Sequence, residues 1–230
     1  MTATSKTSER HWRELSAPFK EKYREYDEWF VDNPVFDLEL ATIKAIETRL
    51  EPPGLEIGVG PGRFAQKLGV RFGIDPALPP LALARSRGAQ VCRAVGEQLP
   101  FGAGVFGAIY MLFTLCFLAR PEAVLRECSR SLKPGGHLLI GLVPASSSWG
   151  KMLAQKGEDR HSFYHGARFR TISATLDLLE RHNFNLIESR SALFSYPQDA
   201  PPAVTNHRPG HDEQAGFVIL VCQAGRESDR

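Results

Sequence analysis

Apolar side chains recur every three or four positions through Trp12, Leu15, Phe19, Tyr23, Tyr26 and Phe30, the period of one helical face. Asp32-Asn33-Pro34 stops that pattern, because the residue before a proline is pushed out of the helical region. A second helical pattern runs through Phe36, Leu40, Ile43, Ile46 and Leu50 and ends at Pro52-Pro53-Gly54. Beyond Gly54 the pattern changes to short apolar runs. Residues 55–59 (LEIGV), 71–75 (RFGID), 89–95 (AQVCRAV), 106–113 (FGAIYMLF) and 137–143 (HLLIGLV) read as buried strands. Residues 63–68, 78–87 and 121–132 read as the helices between them, and Lys133-Pro134-Gly135-Gly136 as a turn. This alternation predicts right-handed βαβ units and a parallel sheet.

The end of the chain breaks the alternation. Residues 171–183 form a helical pattern with Thr171 or Ser173 as cap. Residues 184–194 and 216–225 follow as two strands joined by a Pro-rich link with no helical pattern, which predicts an antiparallel pair. The expected organisation is a polar, frayed segment 1–10 and a single domain over 11–230. That domain divides into N-terminal helices (11–51), an alternating core (52–143), a loop (144–170) and the C-terminal helix with its strand pair (171–230).

Composition narrows the function classes. The 230 residues carry 28 Lys and Arg against 26 Asp and Glu, without a basic stripe, so no electrostatic footprint for nucleic acid is present. No apolar run reaches membrane-span length and the first residues lack a signal-peptide core, so a cytoplasmic protein is expected. The four cysteines (92, 116, 128 and 222) have no metal-ligand spacing; they read as reduced core residues, and no metal is expected.

The stretch GLEIGVGPGRFA, residues 54–65, carries the chemistry. A dinucleotide-binding turn requires G-x-G-x-x-G, with a final glycine for close helix–strand packing. Here the third glycine, Gly62, comes one residue early and Arg63 holds the expected place. The pattern is E-x-G-x-G-x-G, with Glu56 two residues before Gly58. A carboxylate there gains nothing from a pyrophosphate but favours a cation. The turn therefore suits a nucleoside joined to a positively charged amino-acid tail. Asp75, at the end of the second strand, can accept two ribose hydroxyls; Pro76 offers an apolar surface to a base, and Gly96 lets a base edge approach the backbone.

The ordered set E-x-G-x-G-x-G, the acidic residue after the second strand, E-x-L-P-F and L-K-P-G-G resembles the class I S-adenosylmethionine-dependent methyltransferases. The similarity is greatest to the small-molecule branch that includes the quinone-biosynthesis C-methyltransferases. The resemblance implies an α/β fold: a doubly wound, Rossmann-like seven-stranded sheet of order 3-2-1-4-5-7-6, strand 7 antiparallel, with helices on both faces and an N-terminal helical lid. It implies S-adenosylmethionine as cofactor and a small-molecule methyl acceptor as partner. Gly58, Gly60 and Gly62 would let the methionine portion lie against the backbone and Glu56 would face its ammonium. Asp75 would hold the ribose, Pro76, Gly96 and Glu97 would adjoin the adenine, and Met111 would offer its carbonyl to the ammonium. Two residues depart from the family pattern: Val95 stands where an Asp commonly takes the adenine amino group, and Gly107 where an Asp commonly starts strand four.

Methyl transfer from a sulfonium needs alignment and desolvation, with a base only for a protonated nucleophile, so no catalytic residue is assigned. Tyr23 and Tyr26 are candidates for an aromatic lid over the methyl group, with docking of the helix on the domain as the other reading. His161 and His165, in the segment after strand five, are the first places to look for a base. The apolar residues 111–117 either line a substrate pocket or belong to the core. A nicotinamide-dependent oxidoreductase would require the absent G-x-G-x-x-G; a non-catalytic protein that binds S-adenosylmethionine or S-adenosylhomocysteine is the other alternative.

Overall fold

The computed structural model describes residues 3–199 and 206–225, with side chains described from residue 12 onward. Three helices come first: α1 (Ala3–Glu21), α2 (Tyr23–Glu28) and α3 (Pro34–Lys44). Then β1 (Gly54–Ile57), α4 (Arg63–Leu68), β2 (Phe72–Asp75), α5 (Leu78–Ser86), β3 (Gln90–Arg93) and β4 (Phe106–Leu112) alternate, with a 3-10 turn at Leu115–Phe117 after β4. They are followed by α6 (Pro121–Ser131), β5 (Leu132–Leu142), α7 (Ser148–Lys156), α8 (Ile172–Glu180), β6 (Phe184–Ala192), β7 (His207–Pro209) and β8 (Phe217–Ala224).

Local chemistry sets the boundaries. Asn33 caps α3 by accepting the Val35 N–H at 2.9 Å, and Pro34 fills the first helical position, where no N–H is needed. The helical period continued to Leu50, but α3 stops at Lys44. α1 carries back to Ala3, into residues whose polarity predicted fraying. Thr171, not Ser173, caps α8, accepting the Ala174 N–H at 3.1 Å. The predicted turn at 133–136 is instead the irregular start of β5, whose register against β4 shifts between Phe106 and Ala108.

The sheet runs β3-β2-β1-β4-β5-β8-β6-β7. Strands β3, β2, β1, β4 and β5 are parallel, and β8 lies antiparallel between β5 and β6. This is the expected order with β8 in the place of strand 7, extended by the three-residue edge strand β7, which pairs with β6 through Ala192 and His207. Successive residues of the central strands face opposite sides. Ile109 and Met111 of β4 and Leu220 of β8 pack in one core with Val124 and Leu125 of α6. Tyr110, Leu112 and Ile219 pack in the other with Phe36 and Leu40 of α3 and Phe64 of α4. Among the described residues no helix is long and apolar enough to cross a membrane.

Gly107 gains a structural reason. It sits buried in β4, and a side chain there would run into the carbonyl oxygen of Glu51, in the segment that leads into β1. Its N–H donates to Pro53 O at 3.0 Å, so the two segments lie backbone to backbone. The Asp common at this position in the family has no room.

Candidate functional site

The carboxyl ends of β1, β2 and β4 open onto a cavity of about 750 Å³, the size range of small-molecule sites. Its floor is the turn from β1 into α4. The N–H groups of Gly58 and Val59 both donate to Ile74 O, at 2.8 and 3.0 Å, which ties the turn to β2. Gly58, Gly60 and Gly62 take φ of +75°, +49° and +78°, the left-handed region that glycine enters without steric cost.

The three glycines have different reasons for lacking a side chain. A Cβ on Gly58 would collide with Thr114, whose hydroxyl donates to Ile57 O at 3.0 Å. A Cβ on Gly62 would sit 2.8 Å from Cα and Cβ of Ala84, so Gly62 lets α4 pack on α5. At Gly60 the nearest atom to a Cβ is Cε1 of Tyr26 at 3.7 Å, and the space beside it belongs to the cavity. Of the three positions expected to give a ligand room, Gly58 and Gly60 lie on the cavity wall and Gly62 does not, and Thr114 stands where a Cβ on Gly58 would point.

Two expected carboxylates stand beside this floor. Asp75 Oδ2 accepts the Gly60 N–H at 3.1 Å and Oδ1 accepts the Ala77 N–H at 2.8 Å. Each oxygen keeps a further lone pair, and the side chain lines the cavity. Burial pushes its carboxyl up to about 6, against the pull of the Ala77 and Gly60 amides. Glu56 is 3% exposed, and its Oε2 has no hydrogen-bond partner. Burial pushes Glu56 up to about 8; the Ala65 amide lowers it, and Asp75 raises it. A buried, unpartnered carboxylate oxygen is costly unless a cation or donor arrives.

Gly58, Gly60, Asp75, Pro76, Val95, Gly96, Glu97, Tyr26 and His161 all lie on the cavity wall. Four further expected residues do not: Glu56, buried within β1, and Met111, Tyr23 and His165. Met111 is wholly buried and paired with Ile140, because β4 runs one residue further and the wall begins at Leu112. Tyr23 opens α2 and turns to Arg24, whose Nε donates to its hydroxyl at 3.1 Å. His165 is exposed, its Nδ1 3.1 Å from Gly157 O. His161 reaches the wall, and its carbonyl accepts the Lys22 ammonium at 2.9 Å.

The roof comes from α1, α2 and residues 157–170. Tyr26 packs against Phe19, Phe30 and Phe163 with centroids 5.1–5.4 Å apart, and Phe19 meets Phe117 at 5.4 Å. Tyr26 therefore docks the helix and lines the cavity at once. Asp27, the next residue, takes two bonds of 2.8 Å from Arg63 and one of 2.8 Å from Arg87. Burial raises its carboxyl, but the two arginines outweigh that and hold it below the usual range. Arg63, at the place a dinucleotide turn gives to glycine, is thus the anchor of the roof.

A third of the predicted loop 144–170 is helix: α7, nine residues. Ser147 caps α7 by accepting the Gly150 N–H at 3.0 Å, and Gly150 has no Cβ because Pro144 O lies against it. Residues 112–117 divide from Met111: Leu112, Phe113, Thr114, Leu115, Cys116 and Phe117 all reach the wall. Phe113 adopts φ +59°, a strained position for a non-glycine residue.

Sequence reading passed over Glu39. It is on α3, 4% exposed, on the cavity wall, and its Oε2 has no partner. The signal was available: Glu39 falls three residues after Phe36 and four before Ile43, on the apolar face of the helix.

The comparisons with known proteins agree with this architecture. Residues 55–140 match the family model described as a methyltransferase domain. A Thermotoga maritima structure described as an S-adenosylmethionine-dependent methyltransferase, possible histamine N-methyltransferase, is 31% identical. The match covers 91% of this chain and 99% of that one, with a TM-score of 0.83. An uncharacterised protein of Mycobacterium tuberculosis is 39% identical over 89% of this chain and 73% of its own length. A demethylmenaquinone methyltransferase of Corynebacterium kroppenstedtii is 30% identical over 58% of this chain and 62% of its own.

Proposed function

Because the chain belongs to the S-adenosylmethionine-dependent methyltransferases, we propose that it moves the methyl group of S-adenosylmethionine to a small-molecule acceptor by in-line displacement. One observation carries the reading: a single cavity runs from Asp75 and Glu97 at the strand ends to the aromatic residues under α1 and α2. Its two ends suit a nucleoside and a compact apolar acceptor.

The residues fit the cofactor on three counts. Glu56 offers an unsatisfied buried oxygen to the ammonium, Gly60 offers bare backbone to the methionine portion, and Asp75 offers its remaining lone pairs to the ribose hydroxyls. Pro76, Gly96 and Glu97 adjoin the base; with Val95 beside them, its recognition rests on packing and backbone. When bound, S-adenosylmethionine supplies an activated methyl on a sulfonium sulfur. The protein's part is to align the acceptor and exclude water, and the Phe19–Tyr26–Phe117–Phe163 cluster serves the second task. Two relatives support a small acceptor. One is described as a possible histamine N-methyltransferase and the other as a demethylmenaquinone methyltransferase.

Calorimetric titration with S-adenosylmethionine, S-adenosylhomocysteine and NADH tests the cofactor, and transfer of labelled methyl to small acceptors tests the reaction. Micromolar binding of both sulfur nucleosides with none for NADH is expected. Silence for the nucleosides would overturn the proposal.

Affinity should also depend on pH. Glu56 is pushed up to about 8 in the free protein, and the ligand's ammonium favours the carboxylate, so the complex holds fewer protons. Affinity for S-adenosylmethionine should therefore rise with pH toward about 8, by up to about tenfold per unit. It should fall above that as the ligand's amino group, with an ordinary pKa of about 7.7–8.0, loses its proton. Glu56→Gln should flatten the rising limb. A dissociation constant that stays level from about pH 6 to 8 would count against this pairing.

A further inference from the structure

Glu39 is the buried carboxylate of the cavity wall for which neither the fold nor the proposed cofactor accounts; Glu25 and Asp159, also on the wall, are exposed. Glu97 lies at the expected base end, and Asp75 is held by two backbone amides. Glu39 has none of this: no ion pair among the described residues, an unpartnered Oε2 and almost no exposure. Burial holds its carboxyl well above the ordinary range, with no basic side chain offsetting it. Lys22 points to the His161 carbonyl instead.

The wall geometry sets Glu39 apart from the nucleoside floor. That floor is Gly60 and Asp75, joined by a 3.1 Å hydrogen bond, whereas Glu39 enters the cavity from α3. Tyr26 stands over the floor, its Cε1 3.7 Å from where a Cβ on Gly60 would be, and packs against Phe163, the neighbour of Tyr164, at 5.4 Å. Tyr164 and Cys116 line the same cavity as Glu39. Burial pushes Tyr26 and Tyr164 up, and Glu39 adds to that push, in keeping with its place on the same wall.

Resting on the methyltransferase reading above, we propose that Glu39 anchors a protonated amine of the methyl acceptor, whose attached apolar group then lies under the Tyr26 ring. An ammonium supplies what the carboxylate lacks, a donor and a positive charge, without water. The aromatic faces of Tyr26 and Tyr164 favour the same charge. A neutral alcohol of equal shape can offer Oε2 only an uncharged hydrogen bond, and an anionic one brings no positive charge to hold the carboxylate ionised; the site discriminates by that difference.

The test compares three probes of one shape: 2-phenylethylamine, 2-phenylethanol and 3-phenylpropanoate. Each is titrated calorimetrically into the protein with and without saturating S-adenosylhomocysteine. The amine should bind at least about tenfold more tightly than the alcohol, with the carboxylate weakest, and Glu39→Gln should remove that preference. Glu39→Met should do the same while raising the melting temperature of the ligand-free protein, since it removes an unsatisfied buried group; a structural role would lower it. Equal affinity of amine and alcohol, no binding of the amine, or a preference that survives Glu39→Gln would each overturn the assignment. The heat of S-adenosylhomocysteine binding is read separately. Its absence would overturn the cofactor reading, and the amine preference would then judge the Glu39 site by itself.

Discussion

Asp75→Ala should weaken S-adenosylhomocysteine binding by about a hundredfold or more, near 2.7 kcal/mol. Two effects combine. The proposed contacts to both ribose hydroxyls are charge-assisted hydrogen bonds, each worth about 1.5–3 kcal/mol when made to an ionised group. The same carboxylate also holds the Gly60 N–H at 3.1 Å and the Ala77 N–H at 2.8 Å, so its loss frees the turn against which the ligand lies. Asp75→Asn should fall between, because an amide has one acceptor oxygen and turns an NH₂ toward a backbone donor. Calorimetry on the two variants checks this, with thermal unfolding to confirm that they fold. A loss below about fivefold in Asp75→Ala would remove the ribose from this residue.

The second large effect is on stability. Gly107→Asp, which installs the residue common in the family, should destabilise the protein by more than about 4 kcal/mol and abolish soluble expression. A Cβ at 107 would overlap the Glu51 carbonyl oxygen and lie 2.6 Å from its carbon. The added carboxylate would also be buried without a partner in β4, between Phe106 and Ala108, both at most 1% exposed. Gly107→Ala isolates the steric part and should cost about 1–3 kcal/mol, the range for overpacking. Urea unfolding of the Ala variant measures it; a loss under about 0.5 kcal/mol would mean that the segment before β1 yields freely.

The sheet was legible because its central strands, above all β4 and β8, are buried on both faces and read as apolar runs, and because the E-x-G-x-G-x-G turn carries its own backbone requirement. The site was legible where residue type and chain position coincide, as at Asp75 and Gly60. It was less so where a one-residue register decides the outcome: Met111 is core and Leu112 is wall, because β4 pairs with Gly141 through Leu112. Helix α7 was hidden by three serines and a glycine, poor helix formers that function here as a cap and a close approach to Pro144. Glu39 escaped because the helical period was traced through apolar residues, and a carboxylate on that face was not counted. The anchoring of α2 by Arg63 is a contact across 36 positions of sequence, which no local pattern encodes.

The roof is fastened unequally. Near the nucleoside floor, Asp27 is gripped by two arginines in a partly buried cluster; at the other end one exposed polar bond, Lys22 to His161, is accompanied by aromatic contacts to Phe117 and Phe163. Under the proposed function this inequality predicts that the roof opens at the Lys22 end while α2 stays held at Asp27. Acceptor then enters after the nucleoside, and methylated product leaves before the spent cofactor; product-inhibition kinetics would read that order.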